Sequence, residues 1–492
     1  MRAGRHILAY LPVNLATILV AFGGLAILTR LLEPAEYGRY ALAMITMLFV
    51  HMSLFTWLEA AVARFQARAD ADGDETTFLR TLYGAALVTG VAGVGAAVAL
   101  VWVLPLDAAM RNVLTAALVT TGMQLALNLG FEAHKASHRI GRYSLLYSSH
   151  QTMSFVIGIL VILLTPLREV GPFVGIGVSA VVVGLIDLPF MLKRLRGGVV
   201  EAPRLKKYFA YGMPISLSLV LAYALNSADM YIITAYLGEA AAGQYSAGYN
   251  LANRALEVLF IWIAMAMTPL AVTAFEDEGE AASVDVMRGY GAALAWLALP
   301  GAVGLMLVAE PLGGFVLGEG IREGAVGVMP WIAGAAVLNG SLTYYVQRAF
   351  MLSGRTGDFA WILIGPVVMN IGLNIALVPT MGLFGAVLAT ILSYAMGVIL
   401  AVVVARKHYP LPLPFRAVGE VLLCCTAMAA AVIALPASVE ALPSVLELLV
   451  KAGVGGAVYL GVSFLINAAD CRGVVRAVLA RFRPEPVLEA AE

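Results

Sequence analysis

TRLLEPAEYGRYALA at Thr29–Ala43 and TAYLGEAAAGQYSAG at Thr234–Gly248 are the two stretches whose reading decides the fold. At a constant offset of 205 positions, Thr29 matches Thr234, Leu32 matches Leu237, Gly38 matches Gly243 and Tyr40 matches Tyr245. The first stretch follows the first long apolar run of the chain, and the second follows the seventh. A fainter echo joins EVGPFVG at Glu169–Gly175, before the sixth run, to TMGLFGAVLAT at Thr380–Thr390, before the twelfth. Both place a glycine ahead of an aromatic residue and a second glycine soon after. Two halves of six runs each follow from this spacing.

The runs themselves are membrane spans. Of 492 residues, 61% are hydrophobic and only 13% charged, and the mean hydropathy is +0.88. A soluble domain of this length needs more charge to cover its surface, so the bilayer is the solvent for most of the chain. About 20 apolar residues cross the hydrocarbon layer. Fourteen spans are expected on that basis, near 7–28, 38–61, 81–104, 112–131, 143–165, 170–192, 211–236, 244–270, 289–312, 325–352, 358–378, 382–405, 417–436 and 445–467. The stretch Ile7–Leu28 is too long for the apolar core of a secretory signal and reads as a retained first helix. Connections as short as Pro379 to Met381 force neighbouring helices to run antiparallel.

Charge placement orients the spans. With the N-terminus in the cytoplasm, 23 of the 31 Lys and Arg residues fall in cytoplasmic loops and termini, and five fall on the opposite side. The remaining three, Arg254, Arg348 and Lys451, lie within spans. Basic residues are retained on the cytoplasmic side during insertion, so both termini are expected there. The most basic connection, KRLRGGVVEAPRLKK at Lys193–Lys207, separates the halves and fits contact with anionic lipid heads. The expected organisation is an N-terminal six-helix half at 1–192, a basic linker at 193–210, a C-terminal six-helix half at 211–405, two further helices within 406–467 and a cytoplasmic tail at 468–492. Six helices per half leave both halves with the same orientation. Such a parallel repeat has its axis along the membrane normal and commonly encloses a cavity that opens to each side in turn.

Ionisable residues inside spans are costly and default to functional candidates. Asp229 lies about 12 Å, and Arg254 about 15 Å, from the outer ends of spans seven and eight at 1.5 Å per residue. Glu257 shares a helix face with Arg254 at three positions' separation. An Asp229–Arg254–Glu257 cluster facing the cavity is therefore expected, either as a working site or as a neutralised structural group. Arg348 near the inner end of span ten either snorkels to the interface or meets an anionic substrate there. Lys451 reads as an interface anchor, Asp187, Glu59 and Arg64 as boundary residues, and His51 as a satisfied core residue. The asparagines Asn14, Asn226, Asn250, Asn253, Asn339, Asn370 and Asn374, with Gln347, add uncharged polar groups to the spans.

Several function classes are excluded or left without support. Balanced charge, with 31 basic and 31 acidic residues and no basic stripe, argues against nucleic acid as a partner. Cys424 and Cys425 are adjacent and Cys471 stands alone, so they read as packing residues and not as a metal site or disulfide framework. The glycine-rich stretch at 90–99 precedes no GKS or GKT, and no HExxH or GxSxG occurs. Neither a cofactor, a metal nor an enzymatic activity is expected.

RLLEPAEYGRYALA, NSADMYIITAYLGEAAAGQYSAGYNLANR at Asn226–Arg254 and GLFGAVLATILSY at Gly382–Tyr394 carry a resemblance. The chain resembles the Wzx-like O-antigen and exopolysaccharide flippases of the multidrug/oligosaccharidyl-lipid/polysaccharide (MOP) exporter superfamily, over nearly its whole length. Met230 stands after Asp229 where many relatives have arginine. The resemblance implies an all-α integral membrane protein of MATE/MurJ-like fold in the bacterial inner membrane. It further implies translocation of an undecaprenyl-diphosphate-linked oligosaccharide from the cytoplasmic to the periplasmic leaflet. Asp229, Arg254, Glu257 and Arg348 are then the candidates for substrate binding or coupling. Membrane lipids, a polysaccharide polymerase and glycosyltransferases are the implied partners. An ion-coupled multidrug antiporter of the same superfamily is the alternative, although spans 13 and 14 favour a lipid-linked substrate. The peptidoglycan-precursor branch is marked by arginines in its first helices, which the interior of span one lacks. A membrane-embedded polymerase or glycosyltransferase would carry a large outward loop, and none here exceeds roughly a dozen residues.

Overall fold

The computed structural model describes residues 19–473 together with Val13, Ala16, Thr17 and Arg476. The beginning of the first expected span, with Asn14, and the end of the tail lie outside the described residues. The helices are α1 (Gly24–Leu31), α2 (Pro34–Leu54), α3 (Thr56–Ala71), α4 (Glu75–Val103), α5 (Ala108–Ala136), α6 (Ile140–Leu164), α7 (Arg168–Leu195) and α8 (Ala202–Leu237). They continue as α9 (Glu239–Asp277), α10 (Glu280–Leu307), α11 (Ala309–Val316), α12 (Glu319–Leu352), α13 (Thr356–Met381), α14 (Leu383–Ala405), α15 (Phe415–Ile433) and α16 (Ser444–Ile466). No strand occurs among the described residues. Twelve of these helices are each long and apolar enough to cross a membrane, and α2 with α3 forms a further, bent candidate. Their outward-facing apolar side chains, such as Trp361 and Ile433, are exposed. In lipid that is the satisfied state of an apolar side chain, and helices are the one open architecture that pairs every backbone group internally. The expected all-α integral membrane fold is borne out.

Local chemistry explains most helix ends. Glu33 and Glu36 form a reciprocal capping box at the start of α2, where Pro34 gives up an N–H that has no helical partner anyway. Asp107 caps α5 by accepting from the Met110 amide at 2.8 Å. Gly238 and Gly382 adopt positive φ (+86° and +61°) at the ends of α8 and α13, which lets the chain reverse within a single residue.

The structure corrects three details. The second expected span breaks at Phe55 into α2 and α3, bent by 49°. Trp57 Nε1 donates to the Leu54 carbonyl at 2.9 Å, so a side chain satisfies an acceptor at the break. The basic linker shrinks to 196–201, because α7 runs on to Leu195 and α8 starts at Ala202. Gly198 sits so close to the Thr76 backbone that a side chain there would overlap it, and Arg204 pairs with Asp74 and Glu201. The ninth expected span ends at Leu307, and α11 follows as a separate short helix.

The chain divides into two compact units. The first comprises Met1–Ala247, Val316–Ala325 and Leu363–Ala389; the second comprises Gly248–Phe315, Val326–Ile362 and Thr390–Glu492. Within the first, α6 packs along α7, α8 packs on α2 and α3, and α5 packs on α2 and α7. Glycines set the spacing: a Cβ on Gly175 would overlap the backbone of Ser154 and Gly158, so α6 and α7 touch main chain to main chain. The same holds where α2 meets the start of α9. A side chain on Gly38 would overlap the Glu239 carbonyl, and one on Gly243 would overlap the Pro34 carbonyl. Within the second unit, α15 packs on α10 and α16, burying Cys424, Cys425 and Cys471 with Tyr459, as expected of packing residues.

Candidate functional site

Arg254, Glu257 and Phe260 recur every three residues along α9 and so share one broad face. In the second unit this face meets α12, where Gly340 lacks the side chain that would collide with the Phe260 ring. A π-helical turn at Leu342–Val346 follows at once. Such a turn releases carbonyls from the regular i→i−4 ladder. One of them, Tyr344 O, accepts from the Tyr290 hydroxyl at 2.5 Å. The Tyr344 ring lies nearly parallel to Phe260, centroids 5.8 Å apart and planes at 20°, and its hydroxyl donates to Glu257 Oε1 at 3.3 Å. Tyr345 anchors the other side of the turn by donating to the carbonyls of Met287 and Pro412.

Among the described residues, both arginines here lack a carboxylate. Arg254 is exposed and reaches only Asn250 Oδ1, at 3.4 Å. Arg348, half-buried just past the π turn, makes long contacts to Thr343 O (3.4 Å) and Met351 Sδ (3.8 Å). Its Nε is buried with no acceptor. A buried donor left unpaired costs about 1–3 kcal/mol, more when it is charged. Two guanidinium groups, an aromatic stack and one carboxylate thus occupy apolar helices with a net positive charge. That combination is suited to an anion carrying hydroxyl-rich rings, since guanidinium forks match phosphate oxygens.

The sequence alone groups Asp229, Arg254 and Glu257. Arg254 and Glu257 do share a face, but no ion pair joins them, because Tyr344 takes the Glu257 carboxylate. Asp229 belongs to the first unit, where it is 3% exposed and accepts from the Tyr245 hydroxyl and the Met230 amide. Arg348 falls in the second unit with Arg254 and Glu257. Sequence reasoning misses Tyr344 and Phe260. The run TYYVQR at Thr343–Arg348 is the only signal for Tyr344, the three-residue step from Glu257 is the only one for Phe260, and a π turn has no pattern that announces it.

Other charges find partners of their own. Asp187, read as a boundary residue, is buried and accepts from His134 Nε2 (2.8 Å) and from Arg142 Nε and Nη2 (2.7 and 2.6 Å). His51 pairs with Glu59 at 3.0 Å. Arg39 bridges Glu169 and Glu239, and Arg168 holds Glu36 at 2.6 Å, tying the starts of α2, α7 and α9 together. Lys451 pairs with Glu447 at 2.7 Å and lines a cavity of about 280 Å³ in the second unit. Leu256 and Leu259 of α9, Pro300 and Gly304 of α10, and Met428 of α15 make most of that wall apolar.

A family model described as polysaccharide biosynthesis protein matches residues 27–323. The chain belongs to this family. Among solved structures, the chain is similar to the lipid II flippase MurJ in an inward closed conformation. The TM-score is 0.75 at 11% identity, covering 95% of this chain and 100% of that one. It is also similar to an inward-facing multidrug resistance MATE family transporter of the MOP superfamily, at a TM-score of 0.66 and 16% identity, over 81% and 97% of the two chains. A third likeness is to a MOP superfamily transporter from Pyrococcus furiosus, at a TM-score of 0.53 and 17% identity, over 82% and 93%. No curated protein matches in sequence. At these identities the structures establish the fold, and the MATE/MurJ-like architecture expected from the sequence is the one found.

Proposed function

We propose that this protein is a flippase that moves an undecaprenyl-diphosphate-linked oligosaccharide from the cytoplasmic to the periplasmic leaflet by alternating access. The observation that carries the reading is the pair of carboxylate-free arginines, Arg254 and Arg348, beside the Phe260–Tyr344 stack. A diphosphate cannot cross hydrocarbon unaided, and two positioned guanidinium groups lower that barrier by replacing its water. The sugars fit the aromatic faces and the carboxylate of Glu257. The largely apolar cavity lined by α9, α10, α15 and α16 suits a polyprenyl tail, with the Lys451 ammonium on its wall. Membership of a polysaccharide biosynthesis family agrees with such a cargo. Asp229, held by Tyr245, is the candidate for coupling to an ion or proton gradient.

The loop charges support placing the protein in the inner membrane with both termini cytoplasmic. The organisation proposed is two six-helix halves joined by the basic linker, with α15 and α16 added. A polymerase and glycosyltransferases would supply and consume the cargo. The multidrug antiporter alternative accounts less well for α15 and α16: the MATE likeness covers 81% of the chain, and the MurJ likeness 95%.

The test is complementation of a flippase-null strain at matched expression. Arg254→Ala and Arg348→Gln should each cut export more than about tenfold and leave lipid-linked oligosaccharide in the inner leaflet. Full export by both variants would refute the reading.

A further inference from the structure

A second concentration of positive charge lies in the first unit, where the turn between α5 and α6 meets the end of α7. Three guanidinium groups surround one ring, that of Phe190: Arg142 at 4.2 Å, Arg139 at 4.7 Å and Arg194 at 5.8 Å from its centroid. Two of them are quenched, Arg142 by Asp187 and Arg194 by Glu75. Arg139 is exposed and, among the described residues, pairs with no carboxylate. Lys193, also exposed and without an acidic partner among them, lies one turn beyond Phe190 on the same face of α7.

Two further observations point to a missing anion. Arg194 is only 8% exposed, yet its Nη1 has no hydrogen-bond partner. Arg139 is also the N-cap residue of the 25-residue α6, which no side chain caps, and the space beside Gly141 in its first turn is open. Free amides and the positive end of the helix dipole therefore add to the guanidinium field where a cation is least welcome. Phosphate suits this field, since it accepts from guanidinium forks, from helix-terminal amides and from an ammonium at once.

We propose that Arg139, Arg142, Lys193 and Arg194 around Phe190 form a binding site for a lipid phosphate. Under the proposed orientation this end of the bundle lies at the cytoplasmic leaflet, which holds both anionic phospholipid headgroups and polyprenyl diphosphate. The proposal rests on that orientation but shares no residue with Arg254 and Arg348, so its failure would leave the transport reading standing.

Native mass spectrometry of the purified full-length chain tests it, with phosphatidylglycerol and undecaprenyl diphosphate titrated separately. Wild-type protein should retain one lipid that Arg139→Gln holds about tenfold more weakly, with Arg139→Lys intermediate. Selective loss of phosphatidylglycerol identifies a headgroup site. Selective loss of undecaprenyl diphosphate identifies a cargo-docking site. Lys193→Gln, on an exposed residue with no ion pair, repeats the measurement in case Arg139→Gln is poorly folded. Unchanged retention of both lipids by these variants overturns the proposal.

Discussion

Gly38 and Gly243, 205 positions apart in the chain, pack main chain to main chain, each against the backbone that leads into the other. The contact is reciprocal. Gly38 lies against Glu239, Gly243 lies against Pro34, and 34 and 239 are again 205 apart. Reciprocity of this kind is the signature of a two-fold relation, here between the repeats of one chain. The sequence match at these glycines thus has a physical cause: both lie against main chain, where only glycine fits.

Substitution at either glycine should therefore pry α2 from α9. Gly243→Ala is expected to destabilise the purified protein by about 1–3 kcal/mol, the usual cost of overpacking, and Gly243→Val by more. Thermal unfolding in detergent measures this, with Gly289→Ala, beside open space, as the harmless control.

Arg39 joins the same region to Glu169 and Glu239. Arg39→Gln and Glu239→Gln should each lower stability. The double variant should be less damaging than the sum, with a coupling energy of roughly 0.5–3 kcal/mol from a double-mutant cycle. Additive losses would mean that the pair contributes nothing.

Arg348 should tolerate lysine poorly. A lysine keeps the charge but loses the planar fork. Export by Arg348→Lys is expected to fall about tenfold, and Arg348→Gln to fall further, corresponding to a charge-assisted bond of roughly 1.5–3 kcal/mol. Initial export rates in the complemented strain give the comparison.

Gly304 borders the cavity of the second unit with open space beside it. Gly304→Leu should fill that space, leave the melting temperature unchanged and slow export of a polyprenyl-linked cargo. A normal rate would dissociate the cavity from transport.

Asp187→Asn leaves Arg142 and His134 facing a neutral amide in a buried position. A loss of about 3–5 kcal/mol is expected, as for a buried pair that loses one partner. Denaturant unfolding in detergent measures it. His134→Ala should cost less, because Arg142 keeps its carboxylate.

The fold was legible because composition, span length and loop charge are properties of whole segments, and helices in lipid leave few alternatives. The glycine match between 38 and 243 was legible because a side chain at either position would overlap main chain. Side-chain partnership was less so. Glu257 and Arg254 stand at the spacing of a helical ion pair, yet the Tyr344 hydroxyl takes the carboxylate, and nothing near Glu257 in the sequence announces a tyrosine 87 positions away. The break at Phe55 is hidden for the same reason. Its freed carbonyl is satisfied by Trp57, and an apolar run reads alike whether straight or bent. Asp187 reads as a mere boundary residue because its partners, His134 and Arg142, come from two other helices.

The π-helical turn at Leu342–Val346 amounts to one extra residue inserted into α12. Deleting one of those five would let the helix close into a regular spiral with little change of azimuth beyond it, because the widened turn absorbs the extra residue. Arg348 would keep its heading, but the Tyr344 carbonyl would return to the regular ladder and be lost to the Tyr290 hydroxyl. The turn is thus a spare acceptor held inside an otherwise self-satisfied helix, and a single in-frame deletion removes it where point substitutions leave it in place.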